Sequence, residues 1–332
     1  MRCGIPIALL FISSLGGFAR TDHDVLVIVG APGEASYAEG FEEAAQAWEK
    51  GGQATNAVVD FIGRNLGEDS SPKEQVLDWI QNLDPESAAP VWIVYIGHGT
   101  YNRRDAYLNI KGPDISAKEL ADWAPTMDRT LIFIHGGSAS SPFMTALSGP
   151  NRIVISGTRN PDEINYARFG EFFANVLANS DGDIDQDGQT SLLEAFLTTS
   201  DRVESFYTEA GRLSSEHALI DDNGDKLGTP PDWFRGVRVT KRSKTGKDAD
   251  GFRAHQIALI PSEQEKRLSA EQRNQRDALE AEIEVLRKKK SSFQEKAYYE
   301  MLEAILLKLS NLYFPKDADG NLIDLSSQLE GS

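Results

Sequence analysis

Cysteine is nearly missing: one residue, Cys3, in 332. It lies in the N-terminal apolar stretch, with no hydrophobic region before it, so it is not a lipid-attachment site. A chain processed beyond it contains no cysteine. That excludes disulfides, zinc–thiolate centres and a cysteine nucleophile. Positive charge is also short: 34 Lys and Arg stand against 51 Asp and Glu, a net charge of −17. Nucleic acid demands a basic surplus to displace counterions, so neither it nor an anionic membrane surface is an expected partner. No internal repeat is present, and no long apolar run beyond the N-terminus.

What is there begins with a secretory pattern. Arg2 supplies a small positive region, Ile5 to Phe18 an apolar one, and Gly17-Phe18-Ala19 a small-x-small cleavage site. Residues 1–19 are therefore predicted to be a signal peptide. The mature chain would start near Arg20, be exported to the periplasm, cell surface or medium, and keep no membrane span. The competing reading is an uncleaved anchor. Stability in an oxidising compartment without disulfides requires a sizeable core.

Strand and helix patterns then alternate. Val25 to Val29, Ala54 to Ile62, Val91 to Ile96, Thr130 to Ile134 and Arg152 to Ser156 are apolar, β-branched runs suited to a buried parallel sheet. Helices are predicted over Tyr37 to Lys50, from Ser71-Pro72, from Ser116 to Met127, over Phe169 to Asn179 and from Ser191 to Gly211. The class is α/β, a doubly wound, mainly parallel sheet. The α/β domain is expected over 20–235, with a linker or extension over 236–261. A helical hairpin follows over 262–314, turning near Lys288 to Ser292, and a disordered tail over 315–332. Leu279, Ile283 and Leu286 share one helical face, as do Tyr298, Leu302, Ile305, Leu306 and Leu309. This hairpin is a packing element or a surface for self-association.

The sharpest motif is Asp183-Ile184-Asp185-Gln186-Asp187-Gly188-Gln189-Thr190-Ser191-Leu192-Leu193-Glu194. Asp183, Asp185 and Asp187 occupy positions one, three and five of an EF-hand-type loop. Gly188 takes the sharp turn at six, Gln189 offers a carbonyl at seven, Ser191 a ligand at nine, and Glu194 a bidentate carboxylate at twelve. Calcium takes about six to eight oxygens, and this spacing wraps them round one point. With no second complete loop nearby, the ion is expected to staple rather than switch. Asp221, Asn223 and Asp225 repeat the first spacing, but Lys226 replaces the glycine and two prolines follow, so a polar turn is the better reading.

Two strands end in chemically capable residues, where open α/β sheets gather their sites. His98 lies between glycines after Val91 to Ile96; Ser138 follows Gly136-Gly137. Gly99 and Ser138 each have a backbone N–H that could serve an oxyanion. Tyr95-Ile96-Gly97-His98-Gly99, followed by a strand ending in a small-residue turn, resembles the caspase and legumain-like cysteine peptidases. Gly137-Ser138-Ala139-Ser140-Ser141 is similar to the legumain-like Ala-Cys-Glu-Ser-Gly turn, and Val154 to Arg159 to the strand that binds substrate. The resemblance covers Asp24 to Asp232. It implies a caspase-like three-layer sandwich, a histidine in His98 and a nucleophile position held by Ser138, with a peptide or protein in the strand-end cleft. The departure is serine for cysteine. A thiol ionises near about 8.5 and attacks unaided, whereas serine needs an oriented base. Three readings follow: a catalytically silent relative with a binding or scaffold role, a hydrolase using His98 and Ser138, or ordinary turn residues.

Overall fold

The computed structural model of the chain describes residues 23–55, 57–64, 71–124, 127–244 and 246–316. Residues 1–19, the predicted signal peptide with Cys3, and nearly all of the predicted tail lie outside the described residues.

Strand β1 (Asp24–Val29) leads through helix α1 (Ala35–Gln53) to β2 (Val58–Ile62), and α2 (Pro72–Gln81) leads to β3 (Val91–Ile96). Three short strands follow: β4 (Gly99–Tyr101), β5 (Ala106–Leu108) and β6 (Ile115–Ser116). Then come α3 (Ala117–Trp123), β7 (Leu131–His135), α4 (Ser141–Leu147), β8 (Arg152–Ser156), α5 (Phe169–Asn179), α6 (Leu192–Glu209) and β9 (Leu219–Asp221). The main sheet has the order β2-β1-β3-β7-β8-β9; all its pairs are parallel except β8 with β9. This is the α/β sandwich with a mainly parallel sheet expected from the alternating runs.

Side chains alternate across each strand, and the two faces bury separate cores. Val25, Val27, Trp92, Val94 and Ile96 pack with α1, α5 and α6 on one face. Leu26, Ile28, Ile93, Tyr95 and Phe133 pack with α2, α3 and α4 on the other. Every residue of β3 and β7 is buried. That explains their continuous apolar sequences.

Several boundaries differ from the sequence pattern. The second strand begins at Val58, not Ala54, because α1 runs on to Gln53. The Ser116 helix stops at Trp123, although its capping box with Glu119 is present. The antiparallel sheet β4-β5-β6 and the edge strand β9 were not legible. They are two or three residues long, too short to show a period.

The stretch 236–261 is more than a tether. After the hairpin β10 (Phe234–Arg235) and β11 (Arg238–Val239), helix α7 (Phe252–His255) buries Ala254, and Leu259 is also buried. Ser191 bridges Ala258, and the Leu192 N–H donates to the Ile257 carbonyl at 2.7 Å. Helices α8 (Glu263–Lys266), α9 (Ala270–Lys288) and α10 (Glu295–Tyr313) complete the chain, with α9 and α10 forming the expected hairpin about a 3-10 turn at Lys290–Ser292. No described helix is long and apolar enough to cross a membrane.

Candidate functional site

Adjacent parallel strands β3 and β7 bring Gly97-His98-Gly99 and Gly136-Gly137-Ser138 side by side at their carboxyl ends. The hydroxyl of the buried Tyr95 lies 2.7 Å from the His98 carbonyl and 2.9 Å from that of Asn109, fixing the first turn. The His98 ring is half-buried. Its Nε2 sits 3.2 Å from the Pro32 carbonyl. A carbonyl can only accept, so Nε2 carries the proton and Nδ1 is the basic nitrogen. Tyr37, Phe41 and Tyr166 surround the ring at centroid distances of 4.7, 5.3 and 5.4 Å. Among the described residues no carboxylate bonds this ring.

Ser138 is 3% exposed. Its hydroxyl donates to the Gly99 carbonyl at 3.1 Å and accepts from the Gly99 N–H at 3.2 Å. The sequence suggested a His98–Ser138 dyad with Gly99 as oxyanion donor. The structure brings the three residues together but pairs them differently. Among the described bonds none joins His98 to Ser138, and the Gly99 N–H is held by Ser138 itself. The neighbouring position offers no substitute: a Cβ on Gly137 would lie 2.2 Å from the Gly97 carbonyl oxygen. Ala139 next adopts a left-handed φ of 51°. Its N–H donates to the Glu163 carbonyl at 2.9 Å. The buried Ser140 and Thr158 exchange backbone and hydroxyl bonds of 2.8 to 3.0 Å, clamping this turn to the end of β8.

His135 does not enter the cleft. Its ring is fully buried against Tyr95 and Phe143, each 4.9 Å away. Nδ1 accepts from the Gly137 N–H at 3.1 Å, while Nε2 has no partner among the described atoms. Burial pushes its pKa down to about 3, so the imidazole is neutral. A second histidine, His217, bonds Glu163 Oε1 at 2.8 Å, and Glu163 Oε2 accepts from the Arg159 N–H at 3.1 Å. No local pattern signals this pair, which forms between residues 54 apart. Tyr37 and Phe41 were detectable only as an i, i+4 aromatic pair on α1.

The acidic loop joins α5 to α6. Gly188 has φ +91° at the sharp turn, as its position requires. One carboxylate oxygen from each of Asp183, Asp185 and Asp187 lies within 4.8 Å of the others. The loop's own N–H groups hold them: Gly188 and Asp187 donate to Asp183 at 3.0 and 3.1 Å, and Gln189 donates to Asp187 at 3.0 Å. Desolvation, helped by Asp185, Glu194 and Asp183, pushes the Asp187 carboxyl up to about 6. Three carboxylates at this spacing are oxygen donors of the type that a hard divalent ion takes.

Glu194 has another task in this geometry. Oε1 accepts from the Ile184 and Asp185 N–H groups at 2.8 and 3.1 Å; Oε2 accepts from the Ser191 N–H and hydroxyl at 2.9 and 2.7 Å. A carboxylate has about four acceptor sites, so all are engaged. Glu194 closes the loop as a clasp and completes the capping box of α6 with Ser191, rather than standing free as a bidentate ligand. The buried Gln189 side chain ties the loop to the start of α8: its Nε2 donates to Asp187 Oδ2 at 3.2 Å and its Oε1 accepts from the Ser262 N–H at 3.1 Å. His255 Nε2 lies 3.0 Å from Asp185 Oδ2, a contact 70 residues apart in sequence that no local pattern signals.

The second acidic stretch behaves as a turn. Asp221 accepts from the Gly224 and Lys226 N–H groups, both at 2.9 Å, and Asp225 accepts from Leu227. Buried Asp250 accepts from the Asp222 N–H at 3.0 Å and the Thr229 hydroxyl at 2.6 Å.

No protein family's model matches the chain, and no curated protein matches it. Among solved structures it is similar to the Drosophila initiator caspase Dronc, with 14% identity, 62% of this chain and 82% of that chain covered, and a TM-score of 0.42.

Proposed function

We propose that this is an exported, calcium-stabilised, caspase-like protein that is catalytically silent and uses its strand-end cleft to bind a peptide or protein segment. The observation that carries the reading is the pair of hydrogen bonds between the Ser138 hydroxyl and the Gly99 backbone. A nucleophile must be exposed to its substrate and within about 3 Å of a base. Ser138 meets neither condition, and the bond of the His98 ring runs from Nε2 to the Pro32 carbonyl. The motifs around His98 and Ser138 supply the likeness to the caspase and legumain-like peptidases; serine for cysteine and the glycine beside it supply the silence. What remains is the half-buried edge of His98 beside Tyr37 and Tyr166, with Phe41 buried beneath it, a surface suited to holding an extended chain.

Calcium would be held by Asp183, Asp185 and Asp187, with the Gln189 carbonyl and Ser191 completing the set and Glu194 fixing the loop that presents them. The ion would supply charge neutralisation, tying α5 to α6 on the flank of the cleft. Export is supported by the secretory pattern of residues 1–19.

A fluorophosphonate probe tests the silence. The expected result is no labelling; labelling lost in Ser138→Ala would overturn it in favour of a serine hydrolase. A rise in melting temperature with millimolar calcium, absent with magnesium at equal ionic strength, tests the loop.

A further inference from the structure

Helix α10 is 19 residues long, about 28 Å, and carries two apolar stripes. One runs through Tyr298, Leu302, Ile305, Leu309 and Leu312 at alternating spacings of four and three. It is the shielded one: Tyr298 is buried and the rest are half-buried. The other holds Tyr299, Leu306, Leu307 and Phe314, which are 49%, 46%, 59% and 50% exposed. With Leu302 and Glu303, the first three of these line a shallow surface groove. Among the described residues no second layer covers this stripe.

Charge indicates what covers it. Residues 270–313 contain eight Asp or Glu and eight Lys or Arg, so the hairpin is neutral while the whole chain carries −17. The surplus of acid lies outside the hairpin, so two copies meeting hairpin to hairpin bring no net charge into the contact. A strongly basic partner would find no acidic surplus here, and an anionic lipid surface no basic one. A second neutral, apolar stripe of the same kind fits.

We propose that a second copy of this chain docks on the Tyr299–Leu306–Leu307–Phe314 face of α10. The two hairpins close into a four-helix bundle about a two-fold axis. Such an isologous contact buries the same stripe on both subunits and leaves the strand-end cleft and the acidic loop outside the interface. The inference is independent of the functional reading above.

Sedimentation velocity of the full chain across a micromolar concentration series tests it. The expected result is a species of twice the chain mass that dissociates on dilution. Replacing Leu306→Glu together with Leu307→Glu should weaken it by at least about a hundredfold, since both sites would be central anchors. Both side chains are half exposed, so helical circular dichroism and melting temperature at low concentration should be unchanged. A wild-type chain at single-chain mass throughout the series overturns the proposal. So does a double variant that dimerises as tightly as wild type, which would place any dimer on another face.

Discussion

The Ser138 hydroxyl and the Gly99 backbone are joined twice, hydroxyl to carbonyl at 3.1 Å and N–H to hydroxyl at 3.2 Å. This reciprocal pair bridges the ends of β3 and β7. It makes the serine a structural clip where a nucleophile would otherwise be expected.

Ser138→Ala leaves two buried backbone groups of Gly99 without that partner. The expected cost is about 1–3 kcal/mol, read as a lower midpoint in urea. Ser138→Cys is expected to leave the thiol enclosed. Native protein should resist iodoacetamide and cleave no peptide, while unfolded protein is alkylated at once. Rapid native labelling would show that the turn opens.

Gly137→Ala is expected to be more damaging than its one added methyl suggests. Its Cβ would lie 2.2 Å from the Gly97 carbonyl oxygen, which is backbone and cannot rotate away. A loss of at least about 1–3 kcal/mol follows from overpacking. An unchanged melting temperature would mean that the two strand ends move apart freely.

Asp187 would link the proposed calcium site to protons. Its folded pKa is raised from 3.8 to about 6. Without metal, its contribution to stability is fully present below pH about 4 and is lost as pH rises through about 6. Calcium requires the ionised form, so it competes with that proton. The calcium-induced rise in melting temperature should grow from pH 5 to 7, and Asp187→Asn should flatten it. Glu194→Gln should lower stability even without calcium, because it weakens the clasp on Ile184, Asp185 and Ser191.

His135 works in the opposite direction. Its folded pKa falls from an ordinary 6.5 to about 3. The unfolded chain therefore binds a proton that the folded chain refuses. Stability is complete above about 6.5 and declines by up to about 1.4 kcal/mol per pH unit as pH falls towards 3. His135→Gln should flatten the acid limb of a stability–pH curve, even if it costs stability at neutral pH. An unaltered acid limb would assign the titration elsewhere.

Arg276 anchors the hairpin. It is 7% exposed, pairs with the equally buried Glu265 and with Asp277 at 2.6 Å, and Glu265 also accepts from the Tyr313 hydroxyl at 2.5 Å. Arg276→Ala strands the Glu265 carboxylate, at a cost of about 3–5 kcal/mol. Limited proteolysis should then release residues beyond 262 while the α/β domain survives.

The sequence by itself determined five of the six strands of the main sheet, the longer helices, the acidic loop and the hairpin. These rest on local order: β-branched runs in β1, β3, β7 and β8, caps at Ser116 and Ser191, and ligand-type residues at fixed spacing in one twelve-residue stretch. It also placed His98 and Ser138 at neighbouring strand ends. Tertiary structure alone decided what those residues do. Whether Ser138 bonds His98 or Gly99 depends on how two strands 40 residues apart in sequence meet. Spacing carries no such information. The Asp185–His255 contact, the Glu163–His217 pair and the engagement of all four acceptor sites of Glu194 likewise arise from chain segments meeting in space. A motif names the groups available for chemistry. Packing decides which of them already have partners.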